Sequence, residues 1–448
     1  MEGQSSERVM GRWSMLATGV GFAIGAGIVT LVGQAIGMTG YSATLAYGIA
    51  LLFGFLYDLP IIIATSAVSL NGGRYSLVSA VLGKYWGGLS ICSDFMGFCG
   101  IALYAASFAM YVKSLFPEIP VVVSSVVVLT AMFLLNLQGV RTSSRVNNFL
   151  SVALIAGLGS FVILGLGKAD LSLLTAVKSP DYMTNGTGGL LGAACVLMYS
   201  THGHYHIMTY ARHCKNPKSD IPFAIFGTTL VITVVYCSIM AVASTVLPLA
   251  EVTNQPLTNV AREIMPGYLF HFFIVFGPMA AILTTAQGRF VTAVLPVVSA
   301  VNDGWFPKSW AAKNKKGVAW KLYLACYLAS LIPVFLGWDI SMITNSTQMI
   351  GMTFGVLMFF ALARLPKLFP EAWKNRKFWG GLSTPVYYVT IVGALCVQMY
   401  IAYNSIMKIK PYIVISSLLI TIVSLIYAKK RMEKTEINVP DISKVIDE

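Results

Sequence analysis

The chain has 448 residues, of which 56% are hydrophobic and only 11% charged, and its formal net charge is +13. So apolar and charge-poor a composition excludes an ordinary soluble domain. The positive balance would suit a nucleic-acid partner, but the placement of the charges, described below, argues against one.

Apolar runs of about 20 residues recur, as in "VVVSSVVVLTAMFLLNL" and "YIVISSLLITIVSLIYA", long enough to cross roughly 30 Å of hydrocarbon as helix. In chain order they predict twelve spans, near 14–37, 41–69, 86–113, 119–138, 146–167, 189–211, 221–247, 267–300, 320–338, 340–364, 384–406 and 411–428. Backbone groups in lipid must pair internally, so these spans are helices. The alternating segments of about 10 residues that a β-barrel needs are absent. The expected class is therefore an all-α, multi-pass membrane protein. With the N-terminus placed in the cytoplasm, 24 Lys and Arg residues fall in inner segments and 6 in outer ones, and Arg289 lies within a span. By the positive-inside rule both termini are expected in the cytoplasm, and the net charge reflects orientation rather than a nucleic-acid partner. No cleavable signal stands out, since the first apolar stretch runs on as a span. The seven cysteines sit singly in or beside apolar spans. They show no CxxC or ligand-like spacing, so they predict neither a disulfide framework nor a metal site, and small packing residues are the default.

Span 1 reads "GVGFAIGAGIVTLVGQAIG". Its glycines suit either close helix packing, as from Gly21 to Gly25, or local unwinding at "GAG" (Gly25, Ala26, Gly27). Span 6 is apolar up to Tyr199, then turns polar through Ser200, Thr201, His202, Gly203 and His204. Two glycine-interrupted helices in corresponding positions of two halves point to a transporter site at the interface of inverted repeats. Freed N–H groups and the positive end of a half-helix suit an anionic group such as a carboxylate.

Besides histidines, and away from the span ends, the spans hold three charged residues, Asp58, Asp94 and Arg289. Such groups are costly in lipid and face the bundle interior, either as a structural ion pair or on a pathway. Each is expected roughly 12–17 Å from the inner end of its span, a shared depth that permits an ionic cluster. Four of the five histidines lie in "YSTHGHYHIMTYARH", residues 199–213. On a helix, positions i and i+2 point to nearly opposite faces, so His204 cannot share an ion with His202 and His206. His202 and His206 alone make an incomplete zinc site. A histidine in a water-accessible cavity can instead carry a coupling proton, which leaves His202 and His204 as candidates beside a neutral hydrogen-bonding role. His213 reads as an inner-loop residue.

These features together resemble the amino acid–polyamine–organocation superfamily of secondary transporters, over nearly the whole chain. "GAG" (25–27) resembles the superfamily's span-1 carboxylate-binding motif. "GGRYSLVSAVLG" (72–83) resembles the segment before span 3, and "YSTHG" (199–203) the unwound motif of span 6. "KNPKSDIP" (215–222) resembles the loop after span 6, "QPLTNVAREIMPG" the outer-loop helix, and "NDGWFP" (302–307) the motif that closes span 8. The resemblance implies a LeuT-type five-plus-five inverted repeat with broken helices 1 and 6 and two extra C-terminal helices. The corresponding organisation is one transporter domain, 1–428, with repeats at about 14–167 and 189–364, extra helices at about 384–428, and a short, polar, disordered cytoplasmic tail, 429–448.

The resemblance also implies site residues. Gly25, Ala26 and Gly27 match the backbone that holds a substrate carboxylate. Tyr199 matches an aromatic outer lid. Ser200, Thr201, His202 and Gly203 match the span-6 substrate segment, with His202 expected to face substrate. Arg289 falls where arginine–agmatine antiporters place a substrate-stacking tryptophan. Asp58, Asp94, His204, Thr284 and Thr285 are candidates for coupling or gating. A sodium mechanism needs paired span-8 hydroxyls near unwound span-1 carbonyls, which Thr284 and Thr285 can supply. Two departures stand out: Leu154 lies where many members carry a span-5 lysine, and Tyr205 where an acidic residue often follows the span-6 glycine. The expected function is alternating-access transport of an amino acid or derivative, neutral or anionic, across the plasma membrane, coupled to H⁺ or Na⁺ or run as an exchanger. No enzymatic activity, cofactor, resident metal or obligate protein partner is expected. The alternatives are a coupled symporter of another small organic solute, a histidine-based metal-binding membrane protein, and a non-transporting sensor or subunit.

Overall fold

A computed structural model describes residues 10–68, 73–201 and 203–438. His202 and the Ala26 side chain lie outside the described residues. Span 1 is two helices, α1 (Arg12–Ala23) and α2 (Ala26–Thr39). Span 2 is α3 (Ala43–Ala67), and a shorter α4 (Gly73–Leu82) leads into span 3. That span is built from α5 (Lys84–Met96), a 3₁₀ turn at Gly97–Ile101 and α6 (Ala102–Leu115). Spans 4 and 5 are α7 (Val121–Leu137) and α8 (Val140–Leu166). Span 6 is α9 (Gly186–Thr201) followed by a 3₁₀ segment, His204–His213, and span 7 is α10 (Pro217–Thr245).

Two short loop helices follow, α11 (Leu249–Val252) and α12 (Thr258–Ile264). Span 8 joins α13 (Gly267–Ile274), a π turn at Val275–Met279 and α14 (Ala280–Asn302). The π turn holds Pro278, whose missing N–H removes one helical hydrogen bond and favours such a bulge. Spans 9 and 10 are α15 (Trp320–Phe335) and α16 (Ile340–Leu368). After a one-turn α17 (Pro370–Lys374), α18 (Thr384–Ile406) and α19 (Pro411–Lys434) complete the chain. Proline in the first turn starts α10, α18 and α19, where a missing N–H costs nothing and φ is already helical.

Among the described residues there is no strand, only an isolated bridge between Met10 and Cys214. Seven stretches are long and apolar enough to cross a membrane, and three shorter apolar helices accompany them. The protein is therefore an all-α membrane protein. Its outer surface agrees: α7 exposes Val122, Val123, Val127 and Leu134, and α19 exposes Leu418, Leu419, Ile422 and Val423. A continuous apolar surface of that kind suits lipid and would drive aggregation in water.

Inside the bundle, α3 packs on α9, α10 and α18, while α1 pairs with α10 and α2 with α9. The long α14 crosses α1, α5, α6 and α8. The expected disordered tail is corrected in part. Helix α19 continues to Lys434, and Ile437 is only 2% exposed. Asn438 donates its backbone N–H to Asp303 O at 2.9 Å, and Arg431 donates to Gly304 O from both Nε (3.1 Å) and Nη2 (3.0 Å). The start of the tail is thus docked on the "NDGWFP" turn, and residues 439–448 lie outside the described part.

Candidate functional site

Two chain breaks meet at the centre of the bundle. In span 1 the helix stops at Ala23, and Gly25 (φ −145°, ψ −149°) precedes α2 with no side-chain cap. The carbonyls freed at this break find side-chain donors. Tyr236 of α10 donates its hydroxyl to Ala23 O at 2.6 Å. The Thr285 hydroxyl of α14 lies 3.1 Å from Ile24 O, 3.3 Å from Gly21 O and 3.0 Å from Ala281 O. A side chain at Gly25 would collide with Thr285, since its Cβ would sit 2.1 Å from Oγ1. The glycine is therefore required by close approach to α14, in addition to any unwinding.

In span 6 the helix ends at Thr201, and Gly203 takes φ +134°, a left-handed conformation that only glycine adopts without strain. The Arg289 guanidinium passes directly over it, for a Cβ there would lie 2.9 Å from Nη2. Tyr236 links the two breaks, its hydroxyl also lying 3.4 Å from Ser200 O. Tyr47 of α3 stacks on Tyr236 with ring centroids 5.1 Å apart.

Beside the span-6 break lies a cavity of about 170 Å³, lined by Tyr57, Arg74, Asp94, Tyr104, Tyr199, Tyr205, His206 and Arg289 among others. A water needs roughly 10–15 Å³ by the same measure, so the space suits a small organic solute. Near the breaks, Arg289 donates from Nε to the Tyr104 hydroxyl at 3.1 Å, and Tyr104 and Tyr199 hydroxyls stand 3.4 Å apart. Farther along α5, Asp94 is paired with Arg74 of α4. Arg74 is thereby neutralised. Arg289 has no carboxylate within ion-pairing distance among the described residues, and the cavity is left electropositive at that end.

A family model described as amino acid permease matches residues 10–442, almost the whole chain. The chain belongs to the amino acid permease family. Among relatives of this permease, branched-chain amino acid permease BcaP of Bacillus subtilis (strain 168) is 26% identical over 344 residues, covering 70% of this chain and 71% of that one. Cationic amino acid transporter 7, chloroplastic, of Arabidopsis thaliana is 25% identical over 337 residues, covering 69% and 57%. Uncharacterized amino acid permease YvbW of Bacillus subtilis (strain 168) is 26% identical over 413 residues, covering 87% and 88%. The match to cationic amino acid transporter 6, chloroplastic, spans 58% of that protein. The permease chain thus spans little more than half the length of these two plant relatives.

The structure of the permease distributes the sequence candidates unevenly. Tyr199 and Arg289 line the cavity, while Gly25, Gly27 and Gly203 form the breaks and their packing. Ser200 and Thr201 point elsewhere. Ser200 Oγ and the Tyr47 hydroxyl are 2.7 Å apart, and Thr201 donates to Ala50 O at 3.1 Å, so both serve packing on α3. The ionic cluster of Asp58, Asp94 and Arg289 does not form: Asp94 takes Arg74, and Asp58 takes His204 at 3.1 Å, with both of those side chains fully buried. Thr285 meets the span-1 carbonyls, whereas Thr284 donates to Ala281 O of its own helix at 2.9 Å. His206 lines the cavity and stacks on Tyr205, their centroids 4.3 Å apart. Among the described residues, no three His, Cys, Asp or Glu side chains are placed to hold a metal ion.

Sequence reasoning gives no site role to Arg74, Tyr57, Tyr104 or Tyr236, and marks Tyr205 only as a departure from the family pattern. Arg74 lies within "GGRYSLVSAVLG", the motif before span 3, but as a sequence feature it reads only as one of the inner-segment charges. No local pattern distinguishes the tyrosines from the chain's other aromatic residues. The Arg74–Asp94 pair is itself testable. Arg74→Gln leaves a carboxylate in the cavity wall without its partner, while Arg74→Gln with Asp94→Asn removes both charges. The double variant is expected to unfold closer to wild type than the single one, with a coupling of about 0.5–3 kcal/mol. Thermal unfolding in detergent reads this directly, and additive effects would mean that the pair contributes nothing.

Proposed function

We propose that this permease moves an amino acid or close derivative, neutral or anionic, across the plasma membrane by alternating access. The observation that carries the reading is Arg289, a guanidinium that faces the cavity and passes over Gly203 at the span-6 break, with no carboxylate partner among the described residues. A cation held in such a site favours a ligand that brings the missing negative charge. The backbone at the start of α2 and Arg289 would share the substrate carboxylate, with Tyr199 covering it. The names of the relatives, cationic and branched-chain transporters, support amino-acid transport as the activity. They do not extend to substrate charge, because Arg289 repels a cation and Asp94 is engaged by Arg74.

Breaks in spans 1 and 6 support an inverted repeat, residues 14–167 against 189–364, with α18 and α19 outside it. The distribution of Lys and Arg supports cytoplasmic termini. Transport of this kind needs no catalytic residue or cofactor. Uptake and exchange are to be measured in proteoliposomes across a panel of labelled amino acids that includes glutamate, leucine and arginine. Movement of glutamate or leucine in preference to arginine is expected. Preference for arginine would overturn the charge assignment, and movement of no amino acid or derivative would overturn the function.

A further inference from the structure

We propose that the buried pair Asp58–His204 is the proton-carrying site of the transport cycle, so that the proton gradient drives accumulation of substrate. This rests on the transport reading above and adds the driving ion. Asp58 lies in the middle of α3 and His204 opens the 3₁₀ segment just past the span-6 break. Both side chains are fully buried, with His204 Nε2 3.1 Å from Asp58 Oδ2 and 3.1 Å from Thr229 Oγ1. The Thr229 hydroxyl donates to Ile225 O, so it accepts from His204, and Nε2 carries a hydrogen.

A purely structural ion pair is stable in an apolar interior only when further hydrogen bonds satisfy its remaining polar atoms. This pair lacks them. Among the described residues neither Asp58 oxygen accepts a well-aligned hydrogen bond, and His204 Nδ1 has no partner. With one added proton shared between the carboxyl and the imidazole, the pair is neutral overall. Without it, a net negative charge is left in a site with almost no donors, which is costly. The loaded form therefore suits the packed arrangement seen here, and the unloaded form favours one in which water or another donor reaches Asp58.

The location links that choice to the transport movement. His204 follows Gly203, whose φ of +134° marks the break, so rotation of the 3₁₀ segment about that residue parts His204 from Asp58. The chain neighbours Tyr57 and Tyr205, their ring centroids 5.9 Å apart, both line the cavity. A proton arriving from cavity water reaches Asp58 or His204 past these hydroxyls, travels with the substrate, and leaves to the opposite side once the segment has moved. The titratable groups next to the pair are its chain neighbours Tyr57 and Tyr205; the charged groups near those two tyrosines are Arg74, paired with Asp94, and, on the Tyr205 side, Arg289. From the other helices around it, α10 brings the uncharged Thr229, α16 the Phe359 ring against Tyr57, and α18 the amide of Gln398.

The test uses the reconstituted full chain in proteoliposomes containing pyranine, with labelled glutamate and leucine as probes. Wild type is expected to acidify the lumen during uptake. An imposed gradient of one pH unit should raise accumulation about tenfold, and a sodium gradient should not. Asp58→Asn and His204→Gln are expected to lose that gradient-driven accumulation while still exchanging labelled for unlabelled amino acid. Should both variants fail to fold, Thr229→Val, which deletes the acceptor of the Nε2 hydrogen, is expected to shift the pH midpoint of uptake. Retained accumulation in Asp58→Asn or His204→Gln, an unshifted midpoint in Thr229→Val, uptake without lumenal acidification, or drive by sodium would each overturn the proposal. Failure of wild type to move or exchange any amino acid would instead overturn the transport reading beneath it.

Discussion

Replacing Arg289 with glutamine is expected to weaken binding of a carboxylate-bearing amino acid by about 2–5 kcal/mol, on the order of 30-fold to several thousand-fold. The reason is what surrounds the guanidinium. Among the described residues its side chain makes one hydrogen bond, from Nε to the Tyr104 hydroxyl, and it lies against the backbone of Gly203 where span 6 is broken. The remaining N–H groups face a cavity with no free carboxylate to receive them among the described residues. Losing the charge removes both the attraction for an anionic group and the paired donors that would grip it. Arg289→Lys keeps the charge but not the planar fork, and loses the Nε donor to Tyr104, so it is expected to recover only part of the loss. Ligand-induced thermal stabilisation and competition uptake measure the change. An affinity in Arg289→Gln within twofold of wild type would remove Arg289 from the substrate site.

The second large effect is on stability. Helix α2 runs so close to α9 that a Cβ at Gly27 would lie 2.3 Å from Ser200 Cβ and 2.9 Å from Ser200 Cα. The second of those atoms is backbone, so no side-chain rotation relieves the clash. Gly27→Ala must push the two helices apart at the level of both breaks, where Ser200 also packs against Tyr47 and Tyr236. Overpacking of this kind costs about 1–3 kcal/mol and at times more. A fall of several degrees in the apparent melting temperature in detergent is expected, with reduced uptake because the breaks no longer meet. A variant as stable and active as wild type would show that α2 and α9 are not held at this distance.

Much of the fold can be read along the chain. The apolar runs and the interruptions at Gly25 and Gly203 are local properties, and they reappear in the helices. The depth of Asp58, Asp94 and Arg289 was equally legible, because a helix rises about 1.5 Å per residue. Their partners were not. Depth leaves the direction around the helix axis open, and a cluster allowed by shared depth resolved into three separate arrangements: Asp58 with His204, Asp94 with Arg74, and Arg289 with Tyr104. Ser200 and Thr201 illustrate the same limit. Their position in the broken span suggests substrate contact, yet the turn of α9 aims them at α3.

The sequence by itself determined that the chain is an all-α membrane protein of the amino acid permease type, with its weak points in spans 1 and 6. That information is one-dimensional: bilayer thickness sets the length of an apolar run, and backbone chemistry sets where glycine and proline can interrupt it. Only the tertiary structure decided which buried charges are neutralised and which remain open to the cavity. Those pairings join residues as far apart as positions 58 and 204 or 104 and 289. They follow from how helices are rotated against one another, which no single segment encodes.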